Sequence, residues 1–146
     1  MQILVVDDDQ AVRDSLARSL TYSGDQVQTA ADGVEALAKL VGYTPDAIIM
    51  DVMMPRLDGL ETTRMLREGG NDTPILILTA ERGREHLIRA LASGARDYLS
   101  KPFDRTELLV RVRNLLDARR AHRSTHEQKA ILEEMVRLRT EEVVAT

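Results

Sequence analysis

The feature that most restricts the fold of this chain is a regular alternation of short apolar runs with longer segments of helical period. Five runs of strand length begin roughly 20–28 residues apart, at residues 3–6, 26–30, 47–50, 75–78 and 98–99. Between them apolar side chains return every three or four residues, and most of these segments stop at a glycine such as Gly24 or Gly94. The alternation predicts right-handed βαβ units and a parallel sheet covered by helices on both faces.

The composition of the runs supports that interpretation. Three of them, at residues 3–6, 47–50 and 75–78, are almost purely apolar, as central parallel strands are when both of their faces are buried. The run at 26–30 alternates polar and apolar residues and is the weaker signal. We therefore predict an α/β fold, a doubly wound five-stranded parallel sheet.

The last forty residues follow a different pattern. Asp104 and Glu107 have the spacing of an acidic capping box, and apolar residues up to Leu116 continue the core pattern. Beyond Asp117 the chain is rich in Arg and Glu and lacks Gly and Pro, and a seam recurs at alternating steps of three and four: Ala121, Ser124, Gln128, Ile131, Met135 and Leu138. We predict a domain over 1–117 and a long C-terminal helix over 118–146 that pairs as a parallel coiled coil; a frayed single helix is the alternative.

Composition excludes several classes of function. The chain has no cysteine, which removes disulfides and thiolate metal sites, and only 3% aromatic residues, which disfavours a base-stacking platform. Residues 1–104 carry 11 Lys/Arg against 17 Asp/Glu and residues 105–146 carry 9 against 7, so we expect no direct nucleic-acid binding. With no apolar run near ~18 residues and no visible secretory signal, we expect a cytoplasmic protein without membrane contact.

Chemically useful side chains follow four of the predicted strands. Asp7 and Asp8 end the first run, Asp51 the third, Thr79 the fourth and Lys101 the fifth. The functional crevice of an open α/β sheet lies beyond the carboxyl ends of its strands, so these residues are expected to converge. Each one alone has an ordinary explanation, as a helix cap, a strand-end hydroxyl or a surface cation, and only their joint occurrence points to a site.

Three neighbouring carboxylates repel one another unless a cation lies among them. Oxygen ligands without His or Cys favour Mg²⁺, and the Lys101 ammonium is a second source of positive charge. A metal ion, an ammonium and the Thr79 hydroxyl could together hold the oxygens of a phosphoryl group. Asp51 is then the natural nucleophile, since carboxylates are known to carry phosphate covalently.

Four blocks of sequence together resemble the receiver domain of two-component response regulators. The blocks are Val5-Val6-Asp7-Asp8-Asp9, Ile48-Ile49-Met50-Asp51-Val52-Met53-Met54-Pro55 with Asp58-Gly59, Leu78-Thr79-Ala80, and Tyr98-Leu99-Ser100-Lys101-Pro102-Phe103. They occur in order over residues 2 to about 117. The resemblance implies a flavodoxin-like fold with strand order 2-1-3-4-5.

The resemblance also implies a metal site with defined ligands. Asp8 would bind Mg²⁺ directly and Asp7 mainly through water, and Asp51 and the Met53 backbone carbonyl would complete the protein ligands. The Lys101–Pro102 peptide bond would be cis.

The remaining roles implied by the resemblance concern phosphorylation. Asp51 would accept phosphate from a histidine kinase, a phosphotransfer protein or a small phosphodonor. Thr79 would hydrogen-bond the phosphoryl group, Lys101 would pair with it, and Tyr98 would turn inward as an aromatic switch. Met53 and Glu81 would lie near the approach of the hydrolytic water.

We therefore expect a phosphoacceptor switch that catalyses only its own phosphorylation and dephosphorylation and is not an enzyme toward other substrates. Its readout would be the face formed by residues 82–117, which together with the C-terminal helix would control a homodimer or an output domain absent from this chain. Two alternatives stay open. One is a dimerising scaffold with an idle pocket; the other is an aspartyl-nucleophile phosphatase, which Met53 disfavours because a general-acid Asp normally occupies that position.

Two further patterns carry weaker expectations. His122 and His126 lie four residues apart, but no third ligand has suitable spacing, so we expect surface histidines and no zinc site. The tail is similar to the signalling helices that join receivers to later domains.

Overall fold

Five parallel strands, joined by helices on both faces, form the centre of the protein. The computed structural model describes residues 1–81 and 83–120, and residues 1–116 pack as one unit. The strands are β1 (Gln2–Val6), β2 (Gln26–Ala30), β3 (Ala47–Asp51), β4 (Ile75–Thr79) and β5 (Asp97–Ser100). The helices are α1 (Gln10–Tyr22), α2 (Gly33–Leu40), α3 (Gly59–Glu68), α4 (Arg84–Ala92) and α5, which is helical over residues 105–120.

The strands lie in the order β2-β1-β3-β4-β5, and every neighbouring pair is parallel. This confirms the predicted fold class and the strand order that the resemblance implied; the strands begin or end at most one residue from the predicted runs. The seam from Ala121 to Leu138 lies outside the described residues, so the coiled coil and the boundary at residue 117 stay predictions. In the part of the chain that the structure describes, no helix combines the length and apolar character needed to cross a bilayer.

The sheet separates two apolar cores, and this explains the uninterrupted apolar runs. Ile3 and Val5 of β1 face one core, with side chains of α1 and α5, whereas Leu4 and Val6 face the other, with side chains of α2, α3 and α4. All residues of β3 and β4 are buried. A strand covered on both faces has no solvent side on which polar residues could alternate.

Aspartates begin most of the helices. Asp9 caps α1 by accepting hydrogen bonds from the amides of Ala11 and Val12, and Asp32 and Asp58 cap α2 and α3 in the same way. The amide of Glu107 donates to Asp104 at the start of α5, 2.6 Å away, as the capping box predicts. Of the three consecutive acids after β1, Asp9 is therefore the helix cap, which leaves Asp7 and Asp8 for another role.

One glycine is required where α3 meets the end of β3. A Cβ atom added at Gly59 would lie 2.2 Å from the backbone oxygen of Asp51, and backbone cannot yield as a flexible side chain can. We expect Gly59→Ala to lower the free energy of unfolding by about 1–3 kcal/mol, measured by urea denaturation. Gly69→Ala is the control: its added Cβ would meet nothing closer than 3.5 Å, so a change above about 0.5 kcal/mol there, or none at Gly59, would contradict the packing argument.

Candidate functional site

The carboxyl ends of the strands bring the predicted charged residues together at one edge of the sheet. Asp7 and Asp8 follow β1, Asp51 ends β3 and Lys101 follows β5. The Lys101 Nζ atom lies 3.2 Å from Asp51 Oδ1 and 3.5 Å from Asp7 Oδ2. One ammonium is thus paired with two carboxylates from different strands, even though Lys101 and Asp7 are 94 residues apart in sequence.

The three carboxylates are close enough to share a cation. One ligand oxygen from each of Asp7, Asp8 and Asp51 lies within 4.8 Å of the others. Asp7 and Asp51 are buried and Asp8 is exposed, so a cation could reach the cluster from the Asp8 side. Oxygen donors of this kind, open to water on one side, suit Mg²⁺, which keeps part of its hydration shell. The residues present therefore fit the predicted magnesium ion.

Asp7 is also held by the start of α1. Its Oδ1 atom accepts a hydrogen bond of 2.9 Å from the amide of Asp9, and its backbone oxygen accepts one of 2.7 Å from the guanidinium of Arg13. Since Oδ1 is engaged by the amide, Oδ2 is the oxygen turned toward Lys101.

Burial and crowding shift the ionisation of the site. Burial raises the pKa of Asp7, and burial together with the neighbouring Asp7 carboxylate raises the pKa of Asp51. Burial alone would lower the pKa of Lys101, but Asp51 and Asp7 outweigh it and the pKa of the ammonium lies above its ordinary value. Lys101 is thus charged at neutral pH. Its single positive charge does not fully offset the unfavourable effect of burial and mutual repulsion on the ionised Asp7 and Asp51 side chains.

Thr79 and Lys101 are joined through the backbone. The amide of Lys101 donates a 2.7 Å hydrogen bond to the Thr79 carbonyl, and the Lys101–Pro102 bond is cis, as the resemblance implied. The Thr79 side chain is buried, and its hydroxyl accepts a hydrogen bond of 3.1 Å from the amide of Glu81. A ligand that hydrogen-bonds to the Thr79 hydroxyl would therefore affect the hydrogen bond that links Thr79 to the Glu81 backbone.

Tyr98 contacts the same segment from β5. Its side chain is half-buried, and its hydroxyl donates a hydrogen bond to the backbone carbonyl of Glu81. The Glu81 backbone thus bonds to both predicted switch residues. Thr79 and Tyr98 line one cavity of about 140 Å³ together with Met53, whose side chain is 68% exposed.

Two residues of this region, His86 and Arg56, were not among those predicted from the sequence. His86 pairs through Nδ1 with the Glu81 carboxylate, and Arg56 pairs with Asp32. His86 and Glu81 are five residues apart and Glu81 precedes α4, so no helical spacing links them. The Arg56–Asp32 pair joins residues 24 apart in sequence, for which no local pattern exists.

Comparison with known proteins gives consistent matches over the same part of the chain. The family described as "Response regulator receiver domain" matches residues 3–113. Response regulator MprA of Mycobacterium avium is 57% identical over 116 residues, which are 80% of this chain and 51% of that protein. The chain thus spans about half the length of the curated relatives it matches.

Solved structures agree with the sequence matches. A Francisella response regulator receiver domain superposes with a TM-score of 0.78 at 38% identity, covering 80% of this chain and 97% of the other. The chemotaxis protein CheY4 of Vibrio cholerae gives a TM-score of 0.75 at 39% identity, covering 79% and 98%. The likeness therefore extends over almost the whole of each of these solved chains.

Proposed function

The chain belongs to the response regulator receiver domain family, and from that premise we propose that it is a phosphoacceptor switch in which Asp51 takes a phosphoryl group in a Mg²⁺-dependent reaction. Receivers of this family act in two-component signalling with histidine kinases or phosphotransfer proteins. The observation that carries the proposal is the pairing of Lys101 Nζ with Asp51 Oδ1 at 3.2 Å beside two further carboxylates.

The acceptor role of Asp51 is supported by its surroundings. In the transfer, a carboxylate oxygen of Asp51 bonds to phosphorus while the P–N bond of a phosphohistidine, or the P–O bond of acetyl phosphate, breaks. The leaving group is imidazole, which takes up a proton, or acetate. Lys101 lies where it can pair with an oxygen of the phosphoryl group.

The metal site that we propose uses Asp7, Asp8, Asp51 and the backbone carbonyl of Met53. When bound, Mg²⁺ supplies positive charge that screens the phosphoryl oxygens from the carboxylates. The residues themselves orient the donor: Asp51 offers the nucleophilic oxygen, and Thr79 offers a hydroxyl that can donate a hydrogen bond once the phosphoryl group is present.

The change of charge is the signal. A phosphoryl group adds close to two negative charges, which draw the Thr79 hydroxyl and the Lys101 ammonium toward Asp51. Because Thr79 and Tyr98 both bond to the Glu81 backbone, movement of Thr79 is transmitted to the aromatic side chain. We propose Met53 and Glu81, near the path of an attacking water, as residues that set the lifetime of the phosphorylated state.

The output surface that we propose is the face formed by residues 82–117, together with the tail. Exposed apolar side chains on this face support docking of a second copy or an output domain: Leu87, Ile88 and Leu91 on α4 and Val110 on α5. The part of the proposal that involves residues 121–146 lies outside the described structure. A cytoplasmic location, and the absence of direct nucleic-acid binding, stay predictions from composition.

We propose no turnover of external substrates. An aspartyl-nucleophile phosphatase would need a general acid two residues after Asp51, and Met53, which cannot transfer a proton, occupies that position. The scaffold alternative is disfavoured by the buried Asp7 and Asp51. Burying charged groups lowers folding stability, and an idle pocket would give this loss no function.

The test is incubation of the whole chain with acetyl phosphate and Mg²⁺, followed by intact-mass spectrometry. We expect one phosphoryl group per chain, loss of that gain in EDTA, and a change in sedimentation after treatment with beryllofluoride. Steady release of phosphate from varied monoesters would support the phosphatase instead. No mass gain and no response to beryllofluoride would leave the scaffold.

A further inference from the structure

The loop between β3 and α3 is closed at both ends by backbone contacts. The amide of Val52 donates to the Leu78 carbonyl at 3.0 Å, and the amide of Gly59 donates to the Val52 carbonyl at 2.9 Å. The close approach of Gly59 to the Asp51 backbone leaves no room for a side chain there. The freedom that remains in this loop therefore lies in its middle, at residues 53–58.

A tight turn with an unusual backbone occupies that middle. The amide of Leu57 donates to the carbonyl of Pro55 at 2.8 Å, which closes a three-residue turn around Arg56. Arg56 has φ +67° and is, among the residues that the structure describes, the one non-glycine residue with positive φ. An L-residue is strained in this region and glycine is not, so the backbone alone would favour glycine at position 56.

The Arg56 side chain offers a reason for the exception. Its Nε and Nη2 atoms donate to Asp32 Oδ2 at 2.8 and 2.6 Å, while Asp32 Oδ1 accepts from the amide of Glu35 at 2.9 Å and caps α2. The Glu35 amide, and then the Arg56 guanidinium, hold the pKa of Asp32 below its usual range. Asp32 is thus an ionised carboxylate that caps α2 through Oδ1 and binds Arg56 through Oδ2.

The ion pair joins two elements that are already in contact. A Cβ atom added at Gly33, the residue after Asp32, would lie 2.1 Å from Thr62 Oγ1 and 2.9 Å from the Leu57 carbonyl oxygen. The start of α2 is therefore pressed against the residue that follows Arg56. A guanidinium held at this junction restrains the turn relative to the sheet and to α2.

We infer that Arg56 is a positioning residue: through its pair with Asp32 it holds the middle of the β3–α3 loop in the conformation that offers the Met53 carbonyl to a divalent cation. This inference rests on the proposed function, because it assumes that the aspartate cluster binds Mg²⁺. It assigns Arg56 no contact with the cation or with the phosphoryl group.

Two considerations distinguish a positioning role of Arg56 from a purely electrostatic role and from a contribution to folding stability. Arg56 is itself a cation, so a purely electrostatic role predicts that removing it tightens Mg²⁺ binding to the acidic cluster, whereas positioning predicts weaker binding. The Arg56 side chain is 61% exposed. The Asp32 side chain is only 9% exposed, but its Oδ1 keeps the hydrogen bond from the Glu35 amide when Arg56 is removed, and glycine at position 56 relieves the backbone strain, which offsets part of the cost to folding stability. Loss of the pair should therefore change cation affinity much more than the melting temperature.

The test compares Arg56→Gly with the wild type by calorimetric titration with Mg²⁺. Glycine relieves the backbone strain and removes the ion pair, and we expect about tenfold weaker binding, as for other groups that support a metal ligand, with a melting temperature in EDTA near that of the wild type. Asp32→Asn should weaken binding similarly while keeping an N-cap. The double variant should bind no more weakly than either single variant if the two residues act as one unit.

Arg64→Ala is the matched control, since Arg64 is an exposed arginine on α3 paired with Glu61 and its loss changes the net charge equally. We expect its Mg²⁺ affinity to stay within about twofold of the wild type. Unchanged or tighter binding by Arg56→Gly would overturn the inference and leave the proposed function intact. A wild-type chain that binds no Mg²⁺ would overturn both.

Discussion

Replacing Asp51 with asparagine is expected to abolish phosphoryl uptake from acetyl phosphate in the presence of Mg²⁺. The substitution keeps the size of the side chain but replaces a charged oxygen, already 3.2 Å from an ammonium, by a neutral amide oxygen with little nucleophilic character. Intact-mass spectrometry after a fixed incubation measures the effect. We expect complete modification of the wild type and none of the variant.

Asp14→Asn provides the control for this prediction, because Asp14 is an exposed carboxylate on α1 and its loss changes the net charge equally. We expect it to be phosphorylated like the wild type. Peptide mapping adds a stricter criterion, since Asp7 and Asp8 lie within reach of the same donor. Phosphate found on either of them in the wild type, or uptake by Asp51→Asn at the wild-type rate, would contradict the assignment of Asp51.

The second prediction concerns the metal-free protein: the contribution of Asp7 and Asp51 to its stability should fall as the pH rises above about 4. Asp7 and Asp51 have pKa values raised above 3.8, chiefly by burial. In the window between 3.8 and the raised pKa, the folded protein binds more protons than the unfolded chain. The stability gained from this protonation is complete below 3.8 and is lost as the pH passes through the folded-state pKa.

Thermal unfolding in EDTA at several pH values measures this dependence. Asp51→Asn cannot ionise at position 51, so its melting temperature should fall less and should exceed that of the wild type at pH 7; each 1 kcal/mol corresponds to about 4 °C for a domain of this size. Saturating Mg²⁺ should raise the wild-type melting temperature at pH 7 and have little effect at pH 4, where protons compete for the carboxylates. Equal curves for the two proteins, or a wild-type melting temperature above that of Asp51→Asn at pH 7, would show that the carboxylates are not crowded as described.

The two predictions are independent because they test different properties of one residue. The first depends on the nucleophilic character of the Asp51 oxygen, and the second on the cost of its charge when no metal is present. A protein that fails the first and meets the second would have a crowded acidic pocket without acceptor chemistry, as the scaffold alternative requires.

Most of the fold and the members of the charged site could be predicted because each depends on local sequence. The apolar runs of β3 and β4 indicate that both faces of these strands are buried. The helical spacing of Leu16 and Leu20 indicates which face of α1 packs on the sheet. Once the strands are known to be parallel, Asp51 and Lys101 are placed at the same edge of the sheet, and the order β3-β4-β5 separates them by only one strand.

Apart from the roles that the resemblance implies, sequence patterns could not assign separate roles to the neighbouring acids. Asp7, Asp8 and Asp9 are chemically equal in the sequence, and their roles depend on where β1 ends and α1 begins. Asp9 turns to the free amides of α1, Asp7 is buried beside Lys101, and Asp8 is exposed. A shift of one residue in the start of the helix would have reassigned all three.

The amino-acid sequence by itself determined the order of strands and helices along the chain, the parallel sheet and the set of side chains at its edge. Hydrophobic periodicity and the residues that end each strand are local properties of the sequence. Only the tertiary structure decided that Tyr98 and Thr79 meet at the Glu81 backbone and that Arg56 reaches Asp32. These contacts join loops to distant elements, and their partners are selected by the packing of the helices on the sheet, which no repeat in the sequence encodes.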